Sequence, residues 1–217
     1  MKKLLISLIL IVAVAAMASA LNLNYGLRTG LAIGNMAVDP DPTEGAPGLE
    51  NKMKMGFYCG IWARHMMNEK MGVTAELNYV EQGDRYTDEG SGFTEHAYMI
   101  QNTLELPILF TYIPMEKMTL YAGPVLGYVL NGGVKMVYDV DDPDVAEYEG
   151  LDFGEWLNRF QFSAAAGIKY EITETFFGEV RYTYGFSNVI SEDQEFMPEE
   201  EIEAIPRTLT IGLGINL

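Results

Sequence analysis

The sequence predicts an all-β chain, an eight-stranded antiparallel up-and-down transmembrane β-barrel. Three observations predict it. Eight segments alternate apolar with polar side chains at a period of two, their connections alternate between short and long, and aromatic residues gather at both ends of the apolar faces. Successive side chains of a strand point to opposite sides, so each segment has one apolar face and one face of small, polar or charged residues.

The first twenty of the 217 residues are set apart from that pattern. Lys2 and Lys3 supply a positive start, 4–16 an apolar run, and Ala18-Ser19-Ala20 a small-residue exit, the three parts of a secretory signal peptide. The expected organisation is therefore a signal peptide over 1–20 and a barrel domain over 21–217. Loss of the two lysines takes the formal charge from −17 to −19 (−17 − 2). Such an excess excludes nucleic acid as a partner, since its binders need basic patches. The lone Cys59 can form no internal disulfide, and no apolar run after Ala20 is long enough for a helical span.

Segments 21–35 and 53–65 open the barrel, with Thr29 as a polar intruder on the apolar face of the first. In 71–79, Met71, Val73, Ala75, Leu77 and Tyr79 share one face against Gly72, Thr74, Glu76 and Asn78. Segments 98–112 and 118–131 follow less cleanly, with Asn102 on the apolar face and Pro107 and Pro124 mid-strand, where a missing amide donor predicts local bulges. In 160–172, Phe160, Phe162, Ala164, Ala166, Ile168, Tyr170 and Ile172 form the apolar set; in 175–186 it is Phe176, Val180, Tyr182, Tyr184 and Phe186. The last segment, 207–217, places Leu209, Ile211, Leu213, Ile215 and Leu217 on one face.

Connections 66–70, 113–117 and 173–174 are short, whereas 37–52, 83–96, 132–158 and 190–206 are long and rich in Asp, Glu, Gly and Pro. Short turns join antiparallel neighbours, and an even strand number with short turns at one end and long loops at the other is the pattern of an outer-membrane barrel. Tyr112, Tyr170 and Phe176 beside the short turns, and Tyr79, Tyr98, Tyr128, Phe160 and Phe186 beside the long loops, predict two interfacial girdles. The alternative is an exported, soluble, lipocalin-like barrel that turns its apolar faces inward around a small ligand. Alternation does not separate the two; the direction of the apolar face does.

With the apolar faces outward, the lumen receives Arg28, Arg64, Glu76, Glu105, Lys169, Glu171, Glu179 and Arg181, with Tyr58, Trp62, Thr103 and Tyr121. Eight strands enclose a space that side chains just fill, so these charges are expected to pair as a structural network that plugs the barrel. A small ion conduit is the lesser reading. Gly26, Gly30 and Gly34 share one strand face and make room in a narrow lumen or let the strand bend.

Enzyme chemistry has thin support. His65 and His96 are the only histidines and fall at opposite ends of the predicted barrel, Cys59 falls on the apolar face, and Ser163 has no base nearby in the pattern. No cofactor motif is present. The acidic runs DVDDPDVAEYEGLD (139–152) and SEDQEFMPEEEIE (191–203) offer oxygen ligands to divalent cations but match no EF-hand spacing, and Tyr148, Phe153, Trp156 and Phe196 add aromatic surface among them.

The ordered series YGLRTGLAIGN, ELPILFTY, LYAGPVLGYVL, AAAGIKYEI and EVRYTYGFSNV, ahead of a closing alternating strand, resembles the PorT-family outer-membrane β-barrel proteins over nearly the whole chain after residue 20. The resemblance implies a barrel in the outer membrane of a Gram-negative-type bacterium, with no catalytic residue to transfer. It also implies outer-membrane lipid, lipopolysaccharide and the outer-membrane assembly machinery as partners; such barrels commonly end in an aromatic residue, and here the last residue is Leu217. The acidic loops add divalent cations or a basic protein as expected contacts. The function expected is structural or interactive rather than enzymatic.

Overall fold

In the computed structural model, residues 23–39, 49–88, 94–139, 148–152, 157–190 and 203–217 are described. They form strands β1 (Asn24–Asp39), β2 (Leu49–Met66), β3 (Met71–Asp88), β4 (Thr94–Met115), β5 (Met118–Asp139), β6 (Tyr148–Asp152), β7 (Phe160–Glu171), β8 (Phe176–Gly185) and β9 (Glu203–Asn216). The signal peptide, Phe153, Trp156 and Phe196 lie outside the described residues.

Short connections force each strand against its chain neighbour. The chain reverses between β2 and β3 where Asn68 Oδ1 accepts from the amides of Lys70 and Met71, both at 2.9 Å. Between β7 and β8, Thr173 Oγ1 accepts from Thr175 N at 3.2 Å and Phe176 N at 2.9 Å. These side chains mimic a backbone acceptor and so hold tight turns. The β4–β5 turn places Lys117 at a φ of 69°, in the left-handed region.

The sheet order β4-β3-β2-β1-β9-β8-β7-β5, with β4 also pairing β5, closes eight strands into an antiparallel barrel. Closure pairs the first strand with the last: Thr29 stands opposite Leu213 and Gly34 opposite Thr208. No edge remains among these eight, which is what permits strands to cross a membrane.

The apolar faces point outward. Leu213 is 62% and Ile211 46% exposed, whereas Thr208 and Thr210 on the other face of the same strand are 3% and 5% exposed. Leu27, Leu31, Leu77, Leu106, Ile108, Leu126, Ile168 and Val180 continue the exposed apolar band around the wall. A soluble lipocalin-like barrel needs the reverse, so that alternative is not favoured. No helix among the described residues is long and apolar enough to cross a membrane; the strands do so instead.

Three expectations are corrected. First, the ladder outlasts the alternation. Segment 83–96 is not a loop throughout, because Tyr86 pairs Ala97 and Thr87 pairs His96. Strand β5 likewise runs to Asp139, and β6, a ninth strand outside the closed eight, pairs with it between Gly133 and Met136. Beyond the hydrocarbon neither face needs to be apolar, so the period-two signal fades while backbone pairing continues.

Second, the bulges expected at Pro107 and Pro124 are absent. Pairing pauses around Pro107 and resumes in the same register on both sides, and Pro124 stands in register opposite Ala164. The register slips instead at Leu130, between the pairs Asn102–Asn131 and Thr103–Val129.

Third, Tyr98 stands outside the girdle. It is six residues beyond Leu104, the cross-strand partner of Tyr79, about 20 Å further along the strand, and Arg85 lies 5.5 Å from its ring centre. Tyr128 and Phe160 do meet edge-on at 5.3 Å, and Phe162 meets Phe186 at 6.1 Å.

Candidate functional site: the barrel lumen

Closing the ladder brings inward residues from strands far apart in sequence to one level. Arg28 on β1 and Arg181 on β8 both grip Glu76 on β3. Arg181 donates from Nη1 and Nη2 to the two carboxylate oxygens at 2.7 and 2.9 Å. Arg28 Nη1 donates to Glu76 Oε1 at 3.0 Å, and its Nη2 makes a second, short bond to Oε2. Both arginines thus present planar forks to one carboxylate, the geometry that makes such pairs strong.

Glu179 completes the cluster. Its oxygens lie 3.2 Å from Arg28 Nη1 and accept from Tyr58 Oη at 2.8 Å and Tyr121 Oη at 3.3 Å. Asn78 Oδ1 accepts from Arg28 Nε at 3.2 Å. The cations lie against aromatic faces: Arg181 is 4.8 Å from the Tyr121 ring centre and Arg28 5.8 Å from that of Tyr58.

Toward the short turns, Lys169 is clamped between Trp62 and Phe177, its Nζ 4.3 and 3.8 Å from the ring centres. It donates to Asn216 Oδ1 at 2.9 Å and lies 3.9 Å from the half-buried Glu171. Arg64 makes no ion pair among the described residues; its Nε donates to Thr74 Oγ1 at 3.2 Å, and its guanidinium lies 5.4 Å from the Trp62 ring centre. Glu105 is buried in the same lumen, yet among the described residues its carboxylate accepts no hydrogen bond. The eight inward residues divide evenly, with Arg28, Arg64, Lys169 and Arg181 against Glu76, Glu105, Glu171 and Glu179, although only some of them touch.

What is left between these side chains is a cavity of about 10 Å³, bounded by Arg28, Trp62, Glu76, Tyr121, Lys169 and Glu179. That is about one water molecule. Among the described residues Trp62 Nε1 has no hydrogen-bond partner.

The glycines make room for the aromatics and for the backbone of the neighbouring strand, whose Ile215 and Ile211 carbonyls stand closer still to Gly26 and Gly30. A Cβ on Gly26 would stand 2.9 Å from Trp62, one on Gly30 2.8 Å from Tyr58, and one on Gly212 2.1 Å from Tyr58 Oη. Gly34 is different, with its nearest neighbour at 3.4 Å, so lumen crowding accounts for only two of the three regularly spaced glycines. Phe177 is a further inward residue, on the same strand face as Glu179 and Arg181, and it packs on Gly214, its partner in the β8–β9 pairing.

Further out, a layer of neutral polar side chains follows. Thr208 Oγ1 donates to Gln82 Oε1 at 2.9 Å, and Gln101 Nε2 donates to Thr103 Oγ1 at 3.0 Å. Beyond it the wall turns apolar: Met36, Val189 and Ala204 form a buried cluster flanked by Val38, Leu157 and Ile190.

The residues weighed for enzyme chemistry remain apart. His65 pairs Val73 at the short-turn end of β2, while His96 lies at the opposite end of β4 across from Thr87. Cys59 is exposed on the outer face, and Ser163 is buried on the inner one. Among the described residues no group of three or more His, Cys, Asp and Glu could hold a metal, and most of 139–152 and 191–203 lies outside them.

A model of the outer membrane protein beta-barrel domain matches residues 16–191. The chain belongs to that family. With its outward apolar band, the barrel resides in the outer membrane of a Gram-negative-type bacterium. No curated protein matches its sequence. Among solved structures it is similar to Ail, the attachment invasion locus protein of Yersinia pestis, at 16% identity and a TM-score of 0.49, covering 89% of this chain and 98% of Ail. Neisserial surface protein A gives 11% identity and a TM-score of 0.45, covering 89% and 97% of the two chains. OprG from Pseudomonas aeruginosa gives 12% identity and 0.42, covering 89% and 95%.

Proposed function

We propose that this outer-membrane barrel is a structural and interaction protein, related to the PorT family, whose lumen is closed to solutes by the Arg28–Glu76–Arg181–Glu179 network. The observation that carries this reading is the space left inside the network, about 10 Å³. A hydrated ion needs several water molecules abreast, and Arg28, Glu76, Arg181 and Glu179 already pair with one another. The series of strand motifs from YGLRTGLAIGN to EVRYTYGFSNV supports the PorT relationship.

The contacts with the outside fall to the long acidic connections. Their carboxylates favour divalent cations that bridge to lipopolysaccharide, or a basic protein surface. His65 and His96 stand at opposite ends of the barrel wall and so share no site, which supports a non-enzymatic role.

The test is conductance in planar bilayers. The wild-type barrel is expected to show no unitary conductance, and Glu76→Ala combined with Arg181→Ala is expected to open one. A stable wild-type conductance would overturn the closed lumen. For the loops, retention on lipopolysaccharide-coated beads is expected to rise with millimolar Ca²⁺; Ca²⁺-independent retention would reject cation bridging.

A further inference from the structure

We propose that the outer mouth of the barrel is a binding site for a neutral, apolar small molecule that carries one hydroxyl group. This goes beyond the closed lumen and the acidic loops, and uses neither. A cavity of about 250 Å³ lies above the neutral polar layer, lined chiefly by Met36, Val38, Met99, Leu157, Val189 and Ile190. An apolar cavity of roughly 150 Å³ stays dry and takes up benzene, so a larger one with the same kind of wall accepts a larger hydrocarbon body.

The cavity is built, not a gap between loops. Asn158 N donates to Val189 O at 2.8 Å, and Asn158 Nδ2 donates to the carbonyls of Asn188 and Ile190, both at 2.9 Å. These bonds hold Leu157, Val189 and Ile190 over the mouth, where Leu157 and Ile190 also form a bridge. Below, Gln82, Thr103 and Thr208 bond to one another and form a floor.

One polar atom in that floor has no partner. Gln101 lines the cavity at 2% exposure, its Nε2 donates to Thr103, and its Oε1 accepts no hydrogen bond among the described residues. A buried acceptor of this kind is ordinarily satisfied. A water there would want two to four polar partners, and among the described lining residues only Gln101 and Tyr86 carry polar side-chain atoms. A ligand hydroxyl supplies the donor while its hydrocarbon body fills the remaining space. Among the described residues no charged side chain lines the cavity, and against that wall a carboxylate or ammonium would lose its hydration without compensation.

The full chain, reconstituted in lipid nanodiscs with ¹³C-methyl methionine, provides the test. 1-Heptanol is expected to shift the Met36 and Met99 methyl signals saturably, at least tenfold tighter than heptanoate, while the outward Met53 and Met55 report only linear partition into lipid. Ala204→Phe is expected to abolish the saturable shift, and Gln101→Leu to reduce heptanol affinity about tenfold without weakening heptane. Absence of a saturable shift in the wild type, as when the chain's own segments fill the mouth, would overturn the site. So would equal binding of heptanoate, a comparison that needs no variant. Saturable heptanol binding unchanged in a folded Gln101→Leu barrel would reject the hydroxyl.

Discussion

The two ends of the lumen are built from the same closed ladder and hold opposite chemistries. At the level of Glu76 the interior is ionic and filled to within about 10 Å³; above Gln101 it is lined by methionine, valine, leucine and isoleucine around about 250 Å³. The difference lies in where the side chains come from. The ionic level is made only of barrel strands, whose inward positions face one another at fixed spacing, so long charged residues can meet their partners. The mouth takes Leu157, Val189 and Ile190 from connections that fold back over it, and apolar contacts tolerate that irregular geometry because burial needs no direction.

The comparison predicts that the inner level is unforgiving and the mouth tolerant. The largest effect belongs to Glu76→Gln, which leaves Arg28 and Arg181 buried without their shared carboxylate. The expected loss is about 3–5 kcal/mol in urea unfolding from detergent micelles. A loss no larger than that of a mouth variant would remove the contrast. Next is Tyr58→Phe, which deletes the 2.8 Å bond to Glu179 and is expected to cost about 1.5–3 kcal/mol in the same titration.

At the mouth, Val189→Ala removes two methyl groups from a fully buried cluster next to existing empty space. We expect about 1–2 kcal/mol there, and a cost above that of Glu76→Gln would place the core of stability at the wrong end. The smallest effect sharpens the comparison within the ionic level itself. Glu105→Gln is expected to change stability by less than about 1 kcal/mol, because no hydrogen bond to that carboxylate is lost. Equal losses for Glu76→Gln and Glu105→Gln would mean that net charge matters there and individual contacts do not.

Much of this barrel was legible before any coordinates. Alternation through Leu209, Ile211 and Leu213 marks the apolar face, and short turns at 66–70, 113–117 and 173–174 mark the neighbours. The lumen was legible as a set of residues and not as a set of contacts. Nothing in the spacing separates Glu76 from Glu105, yet one receives two arginines and the other none. The mouth was illegible: Val189 and Ile190 follow a strand that had already ended, and Leu157 stands beside an acidic run. The outer reaches of β3, β4 and β5 were read as loops because their side chains no longer need to alternate.

Sequence alone determined which side chains share a face of each strand, because the side-chain direction of an extended chain alternates locally; that the apolar face meets lipid was decided by the closed barrel, which turns it outward. Tertiary structure alone decided which inward groups touch and where the lumen stays empty. Those outcomes depend on how far the strands are staggered when β1 closes against β9, and on segments that pack across the opening. Both are relations between residues distant in the chain.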